Sequence, residues 1–144
     1  GLCYGLSIPF IAIDTLEAMA DSVQSEVDEG AILIPMIDAR RVEVFCSVHQ
    51  NNNTLAKVHA RVLDEKPFAE LEGKKGYYFG DGAEKCKPIF ANDPHSFFID
   101  SLYPSASASI AAAHTKFEQN IFEDVAYFEP FYLKEFVAGP PAKK

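Results

Sequence analysis

Four charged side chains lie close together at the end of an apolar stretch: Asp38, Arg40, Arg41 and Glu43. The apolar stretch covers residues 31–37, and the alternating pattern that follows in residues 43–49 predicts a half-buried strand. Two guanidinium groups oriented by neighbouring acids could bind a carboxylate or a phosphate, because arginine donates paired hydrogen bonds to both. The same residues could instead stabilise a hairpin bend through exposed ion pairs, each worth less than about 1 kcal/mol. Both interpretations fit the sequence.

A second candidate site is the turn formed by Gly80, Asp81 and Gly82. It follows a short strand predicted for residues 77–79 and precedes a predicted helical turn that ends at Cys86. Glycines between a strand and a helix can let a nucleotide approach the backbone, but so short a G-x-G pattern is a weak signal. A tight strand-to-helix turn with Asp81 as its cap is the favoured interpretation.

The histidines are the remaining candidates for chemistry: His49, His59, His95 and His114. They are far apart and lack the spacing of metal ligands, so the sequence predicts no metal site. His59 and His114 fall on the predicted solvent-facing sides of their elements. Nuclease chemistry of the ribonuclease-H type needs several carboxylates around metal ions. Asp38 alone at the end of a strand is not such a set, so this chemistry is excluded.

Composition narrows the class of protein further. The chain has 144 residues, 48% of them hydrophobic, and a formal net charge of −8 at pH 7. This charge argues against nucleic-acid binding by the chain alone, since phosphate binding needs a basic surface. No apolar run approaches the roughly 20 residues of a membrane span. Three cysteines without a C-x-x-C pair, and the lack of a signal-peptide pattern, predict a cytoplasmic protein.

The first 29 residues predict the end of one structural unit. Residues 1–7 have the pattern of a helix tail, and residues 10–13 that of a short buried strand. Asp14 and Glu17 form a capping-box pattern at the start of a helix that should extend to about Asp28. Its apolar stripe contains Leu16, Met19, Ala20, Val23 and Val27.

Residues 31–63 predict three consecutive antiparallel strands. These strands should cover residues 31–37, 42–50 and 55–63, with a polar turn at residues 51–53. On the third strand Ala56, Val58, Ala60 and Val62 should face inward, and Lys57, His59 and Arg61 outward. Pro35 has no backbone N–H to donate to a neighbouring strand, so it indicates an edge strand, a bulge or an outward-facing amide.

Alternating helices and strands are predicted for the remainder. A short helix should cover residues 64–71, and a strand should cover residues 97–99. A second helix should cover residues 104–119 and end at Asn120. The side chains of this helix that should face inward are Ala106, Ile110, Ala113 and Phe117. The order β-β-β-α-β-α-β-α predicts an α/β fold, a mixed sheet with helices on both faces. This is the ribonuclease-H-like order, which the actin-like ATPase superfold also uses. We expect residues 1–29 to end a first, truncated lobe, residues 30–138 to form a second lobe, and residues 139–144 to be a flexible tail.

An aromatic-rich set of side chains should mostly be buried against the domain: Phe97, Phe98, Phe128, Phe131, Tyr132 and Phe136. If a first lobe normally covers them, they should instead form an exposed apolar patch that drives self-association.

Five segments, in the right order, together resemble the TsaB (YeaZ) family. They are G-L-C-Y-G-L with I-P-F-I (residues 1–11), D-T-L-E-A-M-A (14–20), I-D-A-R-R-V-E-V-F (37–45), G-D-G-A (80–83) and E-P-F-Y-L-K (129–134). The most recognisable family motif is I-D-A-R-R-G-E-V-Y, in which Val42 stands here in place of the glycine. The turn must therefore form without a permissive residue at that position. The family's N-terminal half has no counterpart in the chain.

The resemblance implies a non-catalytic subunit that binds and activates TsaD, the metal-holding catalytic subunit in threonylcarbamoyladenosine biosynthesis, a tRNA-processing step. It implies a TsaE-like ATPase as a further partner, contact with tRNA only through the complex, no cofactor, no membrane, and a homodimer as a candidate state. The family also carries the label glycoprotease or M22 peptidase, but no residue pattern here supports protease chemistry. In actin-like folds the turn at Gly80 to Gly82 would meet adenosine. The alternative function is therefore a nucleotide-binding, ATPase- or kinase-like lobe.

Overall fold

The structure, a computed structural model that describes residues 1–134, is built around a five-stranded mixed sheet in the order β3-β2-β1-β4-β5. Its strands are β1 (Ile32–Asp38), β2 (Glu43–Gln50), β3 (Asn53–Val62), β4 (Gly76–Phe79) and β5 (Ser96–Ile99). β1, β2 and β3 form an antiparallel meander, whereas β4 is parallel to β1 and β5 to β4. The predicted mixed sheet of an α/β protein is confirmed.

Three helices accompany the sheet: α1 (Leu2–Leu6), α2 (Thr15–Val23) and α3 (Ile110–Glu118). None of them, within residues 1–134, has the length and apolar character needed to cross a bilayer. α2 covers one face of the sheet. The other face is covered by irregular segments that contain two single turns of 3₁₀ helix, Ala69–Leu71 and Ala83–Lys85. The second turn was predicted, whereas the first replaces a predicted helix over residues 64–71, a segment that contains Pro67 and is too short to stabilise a helix by itself.

β1 supplies the core on both faces of the sheet. Ile32, Ile34 and Met36 pack with β2 and with Phe68 in a first hydrophobic cluster. Leu33 packs in a second cluster with the apolar stripe of α2, namely Leu16, Met19, Ala20 and Val23. A strand that is buried on both faces needs a nearly continuous apolar run, which residues 31–37 provide.

Pro35 lies in this central strand, which excludes the edge strand among the three alternatives predicted for it. β1 pairs with β2 through Leu33 opposite His49 and Met36 opposite Cys46, and positions 34 and 35 of that described ladder carry no pair. The interruption accommodates a residue that has no N–H to donate.

α2 begins as predicted and ends earlier than predicted. The Asp14 carboxylate accepts hydrogen bonds from the amides of Leu16 (2.9 Å) and Glu17 (3.1 Å), which caps the helix. The helix stops at Val23 and not near Asp28. The three acids of residues 24–29 would lie at the negative end of a longer helix dipole, and this disfavours the extension.

The strand predicted for residues 10–13 is absent. Within residues 1–134 this segment is irregular and pairs with no strand of the sheet. Single contacts satisfy it instead: the Glu123 amide donates to the Phe10 carbonyl (2.8 Å) and the Lys116 ammonium to the Ala12 carbonyl (2.8 Å). The residues are half-buried rather than buried.

The two faces of β3 differ from the prediction. Its register with β2 shifts near Val48, which places Ala56 against the first cluster and Val58 against the second. His59 and Arg61, predicted to face solvent, lie under the segment that follows β3, and Arg61 pairs with Glu70 (2.7 Å). Ala60 and Val62, predicted inward, are exposed. Ala56 and Val58 are half-buried, on the side predicted to face inward, but the phase of the alternation reverses at His59. Which side of the strand a later segment covers depends on long-range packing.

α3 is preceded by one 3₁₀ turn, Ala106–Ser109, that the Ser105 hydroxyl caps, and Asn120 follows in the left-handed conformation as predicted. The predicted inward stripe is wrong, because Ile110 is 66% exposed and Phe117 55% exposed. The half-buried side contains mainly small residues: Ala108, Ser109, Ala112 and Ala113. Small side chains allow this side to approach its neighbours closely, and the large apolar side chains are left outside.

A buried histidine beneath α2 makes stability depend on pH. His49 is 6% exposed, and its Nε2 lies 2.7 Å from the hydroxyl of Ser47. Burial lowers the pKa of His49, and the nearby acids Glu17, Asp21 and Asp14 only partly oppose this shift. Below pH 6.5 the unfolded state therefore binds a proton that the folded state resists.

We predict that the free energy of unfolding falls as pH is lowered from about 6.5 toward the lowered pKa of His49. His49→Gln, which keeps a polar partner for Ser47, should reduce this dependence. Urea denaturation between pH 7.5 and 5 measures the effect, with the exposed His114→Gln as the control variant. Identical pH profiles for the wild type and His49→Gln would contradict the assignment.

Candidate functional site

The charged cluster predicted at residues 38–43 forms the tip of the β1–β2 hairpin. Arg40 (φ 67°) and Arg41 (φ 47°) both adopt the left-handed conformation. The Glu43 amide donates to the Arg40 carbonyl (3.2 Å), and the Ala39 amide donates to the Glu43 carbonyl (3.2 Å). Val42 has no positive φ, so the turn does not need the glycine of the family motif at this position. The strain falls on the two arginines instead.

Asp38 organises the base of this hairpin tip. Its carboxylate accepts hydrogen bonds from the Arg40 amide (2.6 Å) and from the Lys85 ammonium (2.5 Å). The Lys85 contact, together with the Arg40 amide, holds the pKa of Asp38 below its ordinary value. Asp38 therefore stays ionised near neutral pH and serves as a hydrogen-bond acceptor.

The Gly80–Asp81–Gly82 turn, the second predicted candidate, lies against the same hairpin. Asp81 Oδ1 accepts a hydrogen bond from the Asp38 amide (3.0 Å), and the Gly82 amide donates to the Met36 carbonyl (3.4 Å). A Cβ at Gly80 would collide with the Met36 carbonyl oxygen, and one at Gly82 would lie 3.0 Å from β1 backbone. Close packing on β1 thus explains why both positions are glycine. The Asp81 carboxylate accepts its hydrogen bond from β1 and is therefore part of the same packing contact.

Two lysines complete the cluster and were not predicted as site residues. Lys85 reaches the Glu43 carbonyl (3.2 Å) as well as Asp38. Lys134 forms an ion pair with the Glu43 carboxylate and brings the C-terminal part of the described chain to the hairpin. Neither lysine has a spacing signal in the sequence, although Lys134 lies in a segment that matched the family. We call the residues Asp38, Arg40, Arg41, Glu43, Asp81, Lys85 and Lys134 the hairpin cluster.

Charge pairing within the hairpin cluster leaves the arginines available. Lys85 and Lys134 are paired with acids, whereas Arg40 and Arg41 form no ion pair within residues 1–134 and are exposed. An arginine pair at an exposed tip can bind a carboxylate or a phosphate through charge-assisted hydrogen bonds. The arrangement is suited to anion recognition.

The histidines do not converge. Within residues 1–134 no group of three or more His, Cys, Asp and Glu side chains is placed to hold a metal ion. His59 Nε2 lies 3.7 Å from the Cys46 thiol, an approach that could suggest a nucleophile and its base. Burial raises the pKa of Cys46 to about 11, so the thiol stays protonated and unreactive near neutral pH. This pair is a core contact.

The aromatic side chains of the C-terminal segment are more exposed than predicted. Exposed fractions are 38% for Phe97 and Phe128, 74% for Phe131 and 81% for Tyr132. Phe98 is half-buried as expected, and Phe136 lies outside the described residues. Residues 130–134 line a groove of about 710 Å³ together with residues 12–16 and the ends of β1 and β2, and they do not fill it. Self-association through this apolar surface stays a prediction.

This structure resembles several solved structures, among them two from Pseudomonas aeruginosa. YeaZ from Pseudomonas aeruginosa gives a TM-score of 0.69 at 21% sequence identity, with 92% of this chain and 63% of that chain covered. An uncharacterized protein with similarity to peptidase YeaZ, from Pseudomonas aeruginosa, gives a TM-score of 0.67 at 20% identity, with 93% and 63% covered. No protein-family model matches the sequence, and no curated protein does.

The mixed sheet and its neighbours define an α/β protein of the ribonuclease-H-like class, as predicted. Within that class the chain has the YeaZ-like fold that the five sequence segments indicated. The chain spans 63% of the length of each of these structures. The division into units at residues 29 and 30 stays a prediction.

The close packing of Gly80 on β1 leads to a stability prediction. Gly80→Ala should destabilise the protein by about 3 kcal/mol, because a left-handed backbone costs a non-glycine residue roughly 1 kcal/mol and the collision with Met36 adds about 2. Gly73 has a similar φ of 76° but open space around it, so Gly73→Ala isolates the conformational part. Chemical denaturation measures both variants. Equal losses would show that the turn does not depend on its contact with β1.

The Asp38–Lys85 contact leads to a prediction about titration. Lys85→Gln should raise the pKa of Asp38 toward its ordinary value, because the principal partner of the ionised carboxylate loses its charge. Carboxyl ¹³C chemical shifts followed by NMR measure this pKa. Lys87→Gln, which removes a lysine that pairs with Glu84 and Asp100, is the matched control. An unchanged Asp38 pKa in Lys85→Gln would contradict the contact.

Proposed function

We propose that this chain acts as a non-catalytic subunit that binds and activates a TsaD-like catalytic subunit in threonylcarbamoyladenosine modification of tRNA. The observation that carries the proposal is the YeaZ-like fold, which extends over 92% of the chain. A shared superfold alone does not determine function. The five ordered sequence segments supply the independent support that the proposal therefore needs. A TsaE-like ATPase belongs to the same proposed assembly, which contacts tRNA as a complex.

The hairpin cluster is our candidate for the surface that contacts the partner. Arg40 and Arg41 are exposed and unpaired within residues 1–134, while Asp38, Lys85 and Asp81 hold the base of the tip in place. Such a pair of arginines suits one or two carboxylates on a partner protein. Arginine is also over-represented among the residues that dominate binding energy at protein interfaces.

A nucleotide-binding lobe is the second candidate. It is favoured by the position of the Gly80–Gly82 turn, which lies beside the hairpin at one edge of the sheet. Against it, β1 occupies the space that the two glycines leave open, and the Asp81 carboxylate is bonded to the Asp38 amide. These contacts favour a structural role for the turn and therefore the subunit proposal.

We expect immobilised TsaD-like protein to capture this chain, with YeaZ from Pseudomonas aeruginosa and its own TsaD as the positive control. Arg40→Ala combined with Arg41→Ala should weaken binding at least tenfold, which corresponds to about 1.4 kcal/mol. Lys57→Ala combined with Lys74→Ala removes the same charge from other exposed positions and should leave binding unchanged.

Two results would count against the proposal. Failure of the chain to bind while the YeaZ control binds would remove the partner role from this chain. Saturable ATP binding by calorimetry, abolished by Gly82→Val, would favour the nucleotide-binding alternative. Equal weakening by the arginine and lysine pairs would keep the partner but exclude the hairpin cluster as its specific contact surface.

A further inference from the structure

A separate cavity lies on the face of the sheet opposite α2. It has a volume of about 350 Å³ and is enclosed by residues 65–72 on one side and residues 89–94 on the other. Its apolar floor contains Phe68, Leu71, Tyr78, Ile89 and Phe90. This size and lining fall within the range of sites that bind small organic molecules. The cavity shares no residue with the hairpin cluster.

The aromatic rings of this floor pack closely against one another. The ring of Tyr78 stacks between those of Phe90 (5.0 Å between centroids) and Phe98 (5.5 Å), and Phe68 packs edge-on against it (5.7 Å). The Arg61 guanidinium, which does not line the cavity, lies 4.6 Å from the centroid of Phe68 and makes a cation–π contact with that ring. Burial raises the pKa of Tyr78 to about 12, so the floor carries no negative charge of its own.

The rim of the cavity is acidic. Three carboxylates line it, those of Glu65, Glu72 and Asp93, against one ammonium, that of Lys66. Lys66 and Glu72 are 3.9 Å apart and about three-quarters exposed, so their pairing is weak. The Ser96 hydroxyl and the His95 amide hold the pKa of Asp93 below its ordinary value, which keeps this carboxylate ionised.

We propose that this cavity binds an apolar organic cation, an ammonium group that carries an aromatic or aliphatic substituent. The apolar substituent would pack on the rings of the floor, where burial removes it from water. The ammonium group would stay at the rim among the carboxylates, where the local charge and the net charge of −8 both favour it. A neutral molecule of the same shape gains only the first contribution, and an anion is repelled.

Three probes of similar size and different charge test the proposal: phenethylammonium, phenethyl alcohol and 3-phenylpropionate. Each is titrated into the whole chain and followed by NMR of backbone amides and aromatic side chains. We expect saturable shifts in residues 65–72 and 89–94, with phenethylammonium binding at least fivefold more tightly than the alcohol and the propionate binding most weakly.

Substitutions distinguish the contribution of the rim carboxylates to binding from that of the aromatic floor. Glu65→Gln combined with Glu72→Gln should weaken phenethylammonium binding about fivefold, because two of the three rim carboxylates lose their charge, and should leave the alcohol unaffected. Phe90→Leu should weaken all three probes. Glu26→Gln combined with Glu29→Gln, two exposed residues outside the cavity lining, is the charge-matched control.

Equal affinities for the three probes would overturn the proposed charge preference. Shifts confined to the groove lined by residues 130–134, or no saturable shifts, would overturn the site itself.

Discussion

The burial of β1 on both faces is the constraint on which the rest of this structure depends. A central strand with apolar side chains on both sides must be covered twice. α2 supplies one cover, and the segments around Phe68 and Cys86 supply the other. The strand also pairs with β2 on one edge and β4 on the other, so it links the antiparallel and parallel halves of the sheet. Where this run of apolar residues ends, the charged residues begin.

The hairpin cluster is a consequence of that geometry. The parallel pairing of β1 with β4 brings the end of β4 beside the end of β1, so the turn after Phe79 meets Asp38. Asp81 then accepts a hydrogen bond from the Asp38 backbone amide at the point where β1 ends. Residues separated by more than 40 positions in sequence thereby form one polar group at the sheet edge.

Local patterns predicted the local features well. The alternation of residues 43–46 in β2, the Asp14 cap and the left-handed Asn120 each depend on a few neighbouring residues, and all three are present. Ser47 and His49, on the predicted outward phase of β2, are buried. The failures concern information that no local pattern contains. The sequence left three alternatives for Pro35, and choosing among them required knowing that β1 is central and that its ladder with β2 has no pair at residues 34 and 35. The contacts of Lys85 and Lys134 required knowledge of which distant segments return to the hairpin, and the covered side of β3 depended on a later segment.

The left-handed backbone of Arg40 and Arg41 has a consequence for the evolution of the hairpin tip. Glycine or asparagine would adopt these conformations with less strain, by roughly 1 kcal/mol at each position, so folding alone does not favour arginine there. A chain selected only for stability would be expected to lose both guanidinium groups. Under the proposed partner role, arginine at these strained positions exchanges stability for recognition, and laboratory selection for thermal tolerance should replace these two residues first.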